Sequence, residues 1–154
     1  MNRMTAPVLA VALAVSAGLA AQGKTNFAGT WNVDVAKSDP SVSGRAGVAT
    51  AKLVITQTAT EMTVVTTTAR GEAKTVYKLD GSEMVETGAM ADSKAKASWE
   101  GGKLVINRVQ TLKSGAGTLT SKEVYSLEGG ALTLVTSRTS PSGETSRKTV
   151  FTKG

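Results

Sequence analysis

The chain is a succession of short stretches in which apolar and polar residues alternate, each closed by a glycine-bearing turn. That rhythm restricts it to a sheet. The strand-like runs are about ten: 28–35, 51–58, 61–69, 73–80, 83–88, 93–100, 103–112, 117–128, 131–139 and 144–152. Asp80-Gly81, Gly101-Gly102, Gly115-Ala116-Gly117, Gly129-Gly130 and Pro141-Ser142-Gly143 separate several of them, with residues that tolerate tight-turn backbone angles. Only 36–50 is a long connection. It holds Pro40, Gly44 and Gly47, lacks the apolar periodicity of a helical lid, and is expected to be a loop. No stretch of the mature chain reads as a helix.

A weak internal repeat supports tandem hairpins: Glu100-Gly101-Gly102-Lys103-Leu104-Val105-Ile106 recurs as Glu128-Gly129-Gly130-Ala131-Leu132-Thr133-Leu134. Hairpins in series make a meander, and a meander of this length must close or leave exposed edges. The expected fold class is therefore all-β, a single antiparallel up-and-down barrel of about 8–10 strands, with the first and last strands paired.

The first 21 residues read as a signal peptide. Arg3 gives the positive start, 6–19 is small and apolar, and Gly18-Leu19-Ala20-Ala21 offers a cleavage site. The apolar run is shorter than the ~18 residues of a membrane span and is rich in alanine. The expected division is a leader over 1–21 and one domain over 22–154, secreted or periplasmic after cleavage. With no cysteine there is no disulfide framework and no lipobox, so the core alone must hold the fold. Loss of Arg3 lowers the net charge from +6 to +5, 17 basic residues against 12 acidic ones. The basic residues are scattered rather than gathered into a stripe, which argues against nucleic acid as a partner.

Alternation assigns the faces. The apolar, inward set is Trp31, Val33 and Val35; Leu53 and Ile55; Met62 and Val64; Tyr77 and Leu79; Trp99; Leu104 and Ile106; Tyr125 and Leu127; Leu132 and Leu134; and Phe151. Beside the clear turns this face is apolar. Farther away it carries Ala95 and Ala97, Arg108 and Gln110, Glu123 and Ser121, and Thr136 and Arg138. One barrel end thus reads as a plug and the other as a roomier, polar interior. Pairing Leu127 with Leu132 puts Ser121 opposite Arg138, with Glu123 diagonal to it. Pairing Leu112 with Leu119 puts Arg108 opposite Glu123, and pairing Thr139 with Glu144 puts Arg147 opposite Thr136. The result is an inward cluster of Arg108, Glu123, Arg138 and Arg147, with Tyr125 deeper on the same face. Unbalanced guanidiniums partly out of water are costly unless an anion or water relieves them, and a ligand carboxylate suits their fork.

Catalytic chemistry is poorly supplied. Without histidine or cysteine the commonest general base, the thiol nucleophile and most zinc, haem and copper ligation are gone. No two of the acids form an obvious couple, and the glycine pairs lie in hairpins rather than at a helix start. No enzyme, metal or cofactor is expected. An outer-membrane barrel is disfavoured too, because aromatics are 4% of the chain and Lys94, Lys96 and Lys122 point outward.

Phe27-Ala28-Gly29-Thr30-Trp31-Asn32-Val33, followed by hairpins, resembles the opening of the calycin superfamily: lipocalins, fatty-acid-binding proteins and their bacterial relatives. With Ala36-Lys37-Ser38, Trp99-Glu100-Gly101 and Leu104-Val105-Ile106, the chain looks like small secreted bacterial lipocalin-like proteins. The resemblance makes Gly29 and Trp31 structural motif residues. It implies that Trp31 packs against a basic residue of a late strand, a role open to Arg147 or Lys148. It also implies that interior arginines hold a ligand carboxylate, which Arg108, Arg138 and Arg147 echo. Two departures stand out: the 36–50 loop is too short for the helical lid of fatty-acid-binding proteins, and the lack of histidine sets the chain apart from haem-binding relatives. The function expected is binding or transport of a small amphipathic ligand, compatible with an anionic head, through Arg108, Glu123, Tyr125, Arg138 and Arg147. The alternative is a filled barrel acting as an envelope interaction or structural protein through its surface loops.

Overall fold

The computed structural model describes residues 24–45 and 47–154, and the expected leader lies outside them. Ten strands follow in order: β1 Gly29–Val33, β2 Lys52–Gln57, β3 Glu61–Thr68, β4 Gly71–Lys78, β5 Met84–Thr87, β6 Ala91–Glu100, β7 Lys103–Leu112, β8 Thr118–Glu128, β9 Ala131–Ser140 and β10 Gly143–Lys153. All pairings are antiparallel, in the order β4-β3-β2-β1-β10-β9-β8-β7-β6-β5. The meander closes on itself through β1 and β10, where Trp31 faces Lys153 and Val33 faces Phe151. The ladder is left open only between β4 and β5, so the barrel is nearly rather than fully closed.

The long connection is not all loop. Asp34 ends β1 by accepting the Lys37 N–H on its Oδ1 at 3.2 Å, which caps a 3-10 turn over Val35–Lys37. Pro40 then starts a single α-helical turn, α1, over Pro40–Ser43, with Val42 fully buried beneath it. A proline at the first helical position loses no internal hydrogen bond. The expectation of no helix is corrected to this extent, and Val35 leaves the inward strand face for the 3-10 turn. Among the described residues no helix is long and apolar enough to cross a membrane.

Inside, the alternation holds. Trp31, Leu53, Ile55, Met62, Val64, Tyr77, Leu79, Leu104, Ile106, Tyr125, Leu132 and Phe151 are buried in one core, with Val33, Trp99 and Leu134 packed against it. Leu127 departs from the pattern: it faces Leu132, yet is 38% exposed. The plug is instead supplied by Phe27, a residue upstream of β1, which is wholly buried. Its ring stacks parallel to Trp99 at 6.1 Å and tilts against Tyr125 at the same centroid distance. The segment carrying it is tied down by side chains. Gln57 accepts from the Phe27 N–H and donates to the Thr25 carbonyl, and the Thr25 hydroxyl donates to the Gly102 carbonyl across the barrel end.

Trp31 sits at this plugged end, 2% exposed, with its indole N–H donating to the Phe27 carbonyl at 2.9 Å. The cation over its ring is Lys153, Nζ 5.6 Å from the centroid, and not Arg147 or Lys148. Register explains the correction: Lys153 is the residue directly opposite Trp31, whereas Arg147 pairs with β9 toward the other end. Gly29 has φ of +143°, and a Cβ there would come within 3.3 Å of Lys153 Cε. Only glycine meets both demands without strain.

Candidate functional site

The end opposite the plug is where the inner face turns polar. Thr66 on β3, Thr75 and Tyr77 on β4, Glu123 on β8, Thr136 and Arg138 on β9 and Arg147 on β10 surround a cavity of about 300 Å³. Deeper, its walls are Leu53, Val64, Tyr125, Leu134 and Phe151. Threonines are natural here, because a β-branched side chain suits a strand while its hydroxyl keeps the wall polar.

Glu123 is half-buried and receives a hydrogen bond from the Tyr77 hydroxyl on its Oε2 at 2.9 Å. Tyr77 and Tyr125 meet edge-on, with ring centroids 6.3 Å apart. Burial, followed by the Glu123 charge, pushes the Tyr77 hydroxyl well above its ordinary value. Burial, followed by Tyr77 and Glu123, does the same to Tyr125. Both phenols therefore stay protonated, and Tyr77 is a hydrogen-bond donor in the cavity wall.

The expected four-residue cluster is only partly assembled. The β8–β9 and β9–β10 registers are as read from the turns: Ser121 faces Arg138 and Arg147 faces Thr136. The β7–β8 register differs by two residues. Leu119 faces Gln110 rather than Leu112, so Glu123 lies opposite Ile106, and Arg108 lies opposite Ser121. The loop hides this count, because Leu112 instead receives its carbonyl partner from Gly117, a residue with φ of +108°. A shift of two preserves the face, so Arg108 still has the inward parity. Its guanidinium is engaged elsewhere, with Nη1 3.6 Å from Glu86 Oε2 on β5, a carboxylate that Ser93 also approaches.

Arg138 and Arg147 do converge at the mouth, and a third guanidinium joins them. Arg45, from the connection after α1, lines a mouth pocket of about 300 Å³ together with Ser41, Thr136, Arg138 and Arg147. None of the ion pairs among the described residues involves Arg45, Arg138 or Arg147. Arg147 Nε is shut off from solvent and has no hydrogen-bond partner among them. Burial, then the charges of Arg45 and Arg138, lower the Arg147 pKa from its ordinary value. Arg45 could not be placed from sequence, since a loop offers no period by which to assign a face. The Tyr77–Glu123 bond was equally hidden, because β4 and β8 are not neighbours in the sheet and meet only across the barrel.

No family model and no curated protein matches the sequence. Solved structures do match its fold. Lipid binding protein 8 of Caenorhabditis elegans superposes with a TM-score of 0.63 at 16% identity, over 86% of this chain and 100% of that one. Fatty-acid-binding protein 1 of Echinococcus granulosus gives 0.58 at 16% identity, over 82% and 96%. Secretory abundant heat soluble protein 4 of Ramazzottius varieornatus gives 0.60 at 15% identity, over 86% and 96%. The fold is thus the one these solved structures share, here a ten-strand, nearly closed antiparallel β-barrel.

Proposed function

We propose that this chain is a secreted or periplasmic binding protein, not an enzyme, that carries a small amphipathic ligand inside its barrel. One observation carries the reading: a cavity of about 300 Å³ runs from an apolar floor to guanidiniums that no carboxylate neutralises among the described residues. A ligand cavity in a protein of this size is expected to be a few hundred Å³, mostly apolar, with a few convergent polar groups. The tail lies against Leu53, Val64, Leu134 and Phe151, and an anionic head lies at Arg138 and Arg147. Tyr125 and the Tyr77–Glu123 pair form the wall between them. The structural neighbours named for lipids and fatty acids support a ligand of this kind.

The test is native mass spectrometry of protein purified from its own compartment, together with titration of fluorescent fatty-acid probes. A bound small molecule and saturable probe binding are expected. A protein that carries nothing and binds no probe would overturn the reading and favour a barrel that acts through its surface loops.

A further inference from the structure

Charge balance at the mouth says more about the head than that it is anionic. Arg45, Arg138 and Arg147 line one pocket with no carboxylate in ion-pair contact among the described residues, and Arg108 is paired with Glu86; Glu123 lines the adjoining cavity, where the neutral Tyr77 hydroxyl that donates to it balances no charge. A single carboxylate would neutralise one charge of three and offer only two oxygens. A phosphate monoester carries close to two charges near neutral pH and presents three acceptor oxygens, one for each guanidinium. The Ser41 and Thr136 hydroxyls add donors to the same pocket.

The pocket is also placed for it. Thr136, Arg138 and Arg147 line both the mouth pocket and the barrel cavity, so the spaces for head and tail adjoin. We propose that Arg45, Arg138 and Arg147 bind a phosphate monoester dianion, the head of a single-chain amphiphile whose tail fills the cavity. This rests on the binding function proposed above and narrows its ligand class. The buried, unpartnered Arg147 Nε and the mutual repulsion of the three arginines are what such a head would relieve.

The experiment compares dodecyl phosphate, dodecanoate and inorganic phosphate by calorimetric titration, with both amphiphiles kept below micelle formation. At about pH 7.5 dodecyl phosphate is expected to bind about tenfold or more tightly than dodecanoate. The advantage should shrink at about pH 5.5, where the phosphate has become a monoanion. Arg45→Gln, checked for an unchanged circular-dichroism spectrum, should lose most of the preference, and Arg108→Met should keep it. Equal affinity of the two amphiphiles would overturn the phosphate assignment while leaving an amphiphile-binding barrel in place. Binding of neither would overturn both readings. A preference that survives Arg45→Gln would overturn the pocket assignment. Inorganic phosphate binding as tightly as dodecyl phosphate would overturn the amphiphile and leave free phosphate as the pocket's occupant.

Discussion

Trp31→Ala is the most incisive test of the barrel itself. The indole is 2% exposed in the plug, its N–H holds the Phe27 carbonyl at 2.9 Å, and Lys153 covers its ring at 5.6 Å. Emptying an aromatic core site costs about 3–5 kcal/mol. The lost cation–π contact accounts for only ~0.5–1 kcal/mol of that, because Lys153 is exposed. Losing the indole also frees the segment that delivers Phe27, so the plug should loosen as a unit. Urea denaturation followed by far-UV circular dichroism measures the change without depending on tryptophan emission, and Trp31→Ala should lower stability by about 3–5 kcal/mol. Lys153→Met should cost about 0.5–1 kcal/mol alone and nearly nothing in the Trp31→Ala background, since the two residues share one contact. A loss below about 1 kcal/mol for Trp31→Ala would refute the packing argument, because a core indole cannot leave so cheaply.

Other expectations are as direct. Arg147→Met should weaken an anionic amphiphile about tenfold while a neutral analogue binds as before; Arg108→Met, with its partner Glu86 outside the cavity, should leave both affinities nearly unchanged. Fluorescence displacement reads this, and equal effects of the two variants would contradict the division of the arginines. The chain has two tyrosines, Tyr77 and Tyr125, and both are buried with raised hydroxyl pKa values. Protons are thus held by the folded state after the unfolded state has lost them, so stability is intact below the ordinary value of 10.0 and falls as pH rises beyond it. Tyrosinate absorbance should appear together with loss of the circular-dichroism signal. Ionisation near pH 10 in a protein that stays folded would refute the burial.

The fold was legible because its signal is repetitive. Period-two alternation and glycine turns specify strands and faces, and tight turns such as Gly129-Gly130 leave one register for each hairpin. The site was legible only as far as that logic extends. Arg138 and Arg147 follow from two tight turns, whereas Arg108 and Glu123 were misaligned by the looser 113–117 loop. Arg45 and Phe27 carried no periodic signal, one following α1 and the other preceding the first strand, and Glu86, within the run 83–88, reaches past the neighbouring strand to Arg108. Contacts across the barrel, such as Tyr77 with Glu123, depend on curvature that no single hairpin encodes.

The seam between β1 and β10 has a kinetic consequence. Every other ladder joins strands adjacent in sequence, and all of these but β1–β2, with its long connection, can form as hairpins within microseconds. The pairing of Trp31 with Lys153 instead spans almost the whole described chain, so it bears the largest loop-closure entropy and must come last. Until then β1 and β10 are two open edges flanking an unsealed core, the state in which a meander is most exposed to pairing with another copy. Val150–Lys153 therefore acts as the latch of the molecule. Deleting these few residues would part the barrel into two sheets, β1–β4 and β5–β10, rather than shorten a tail.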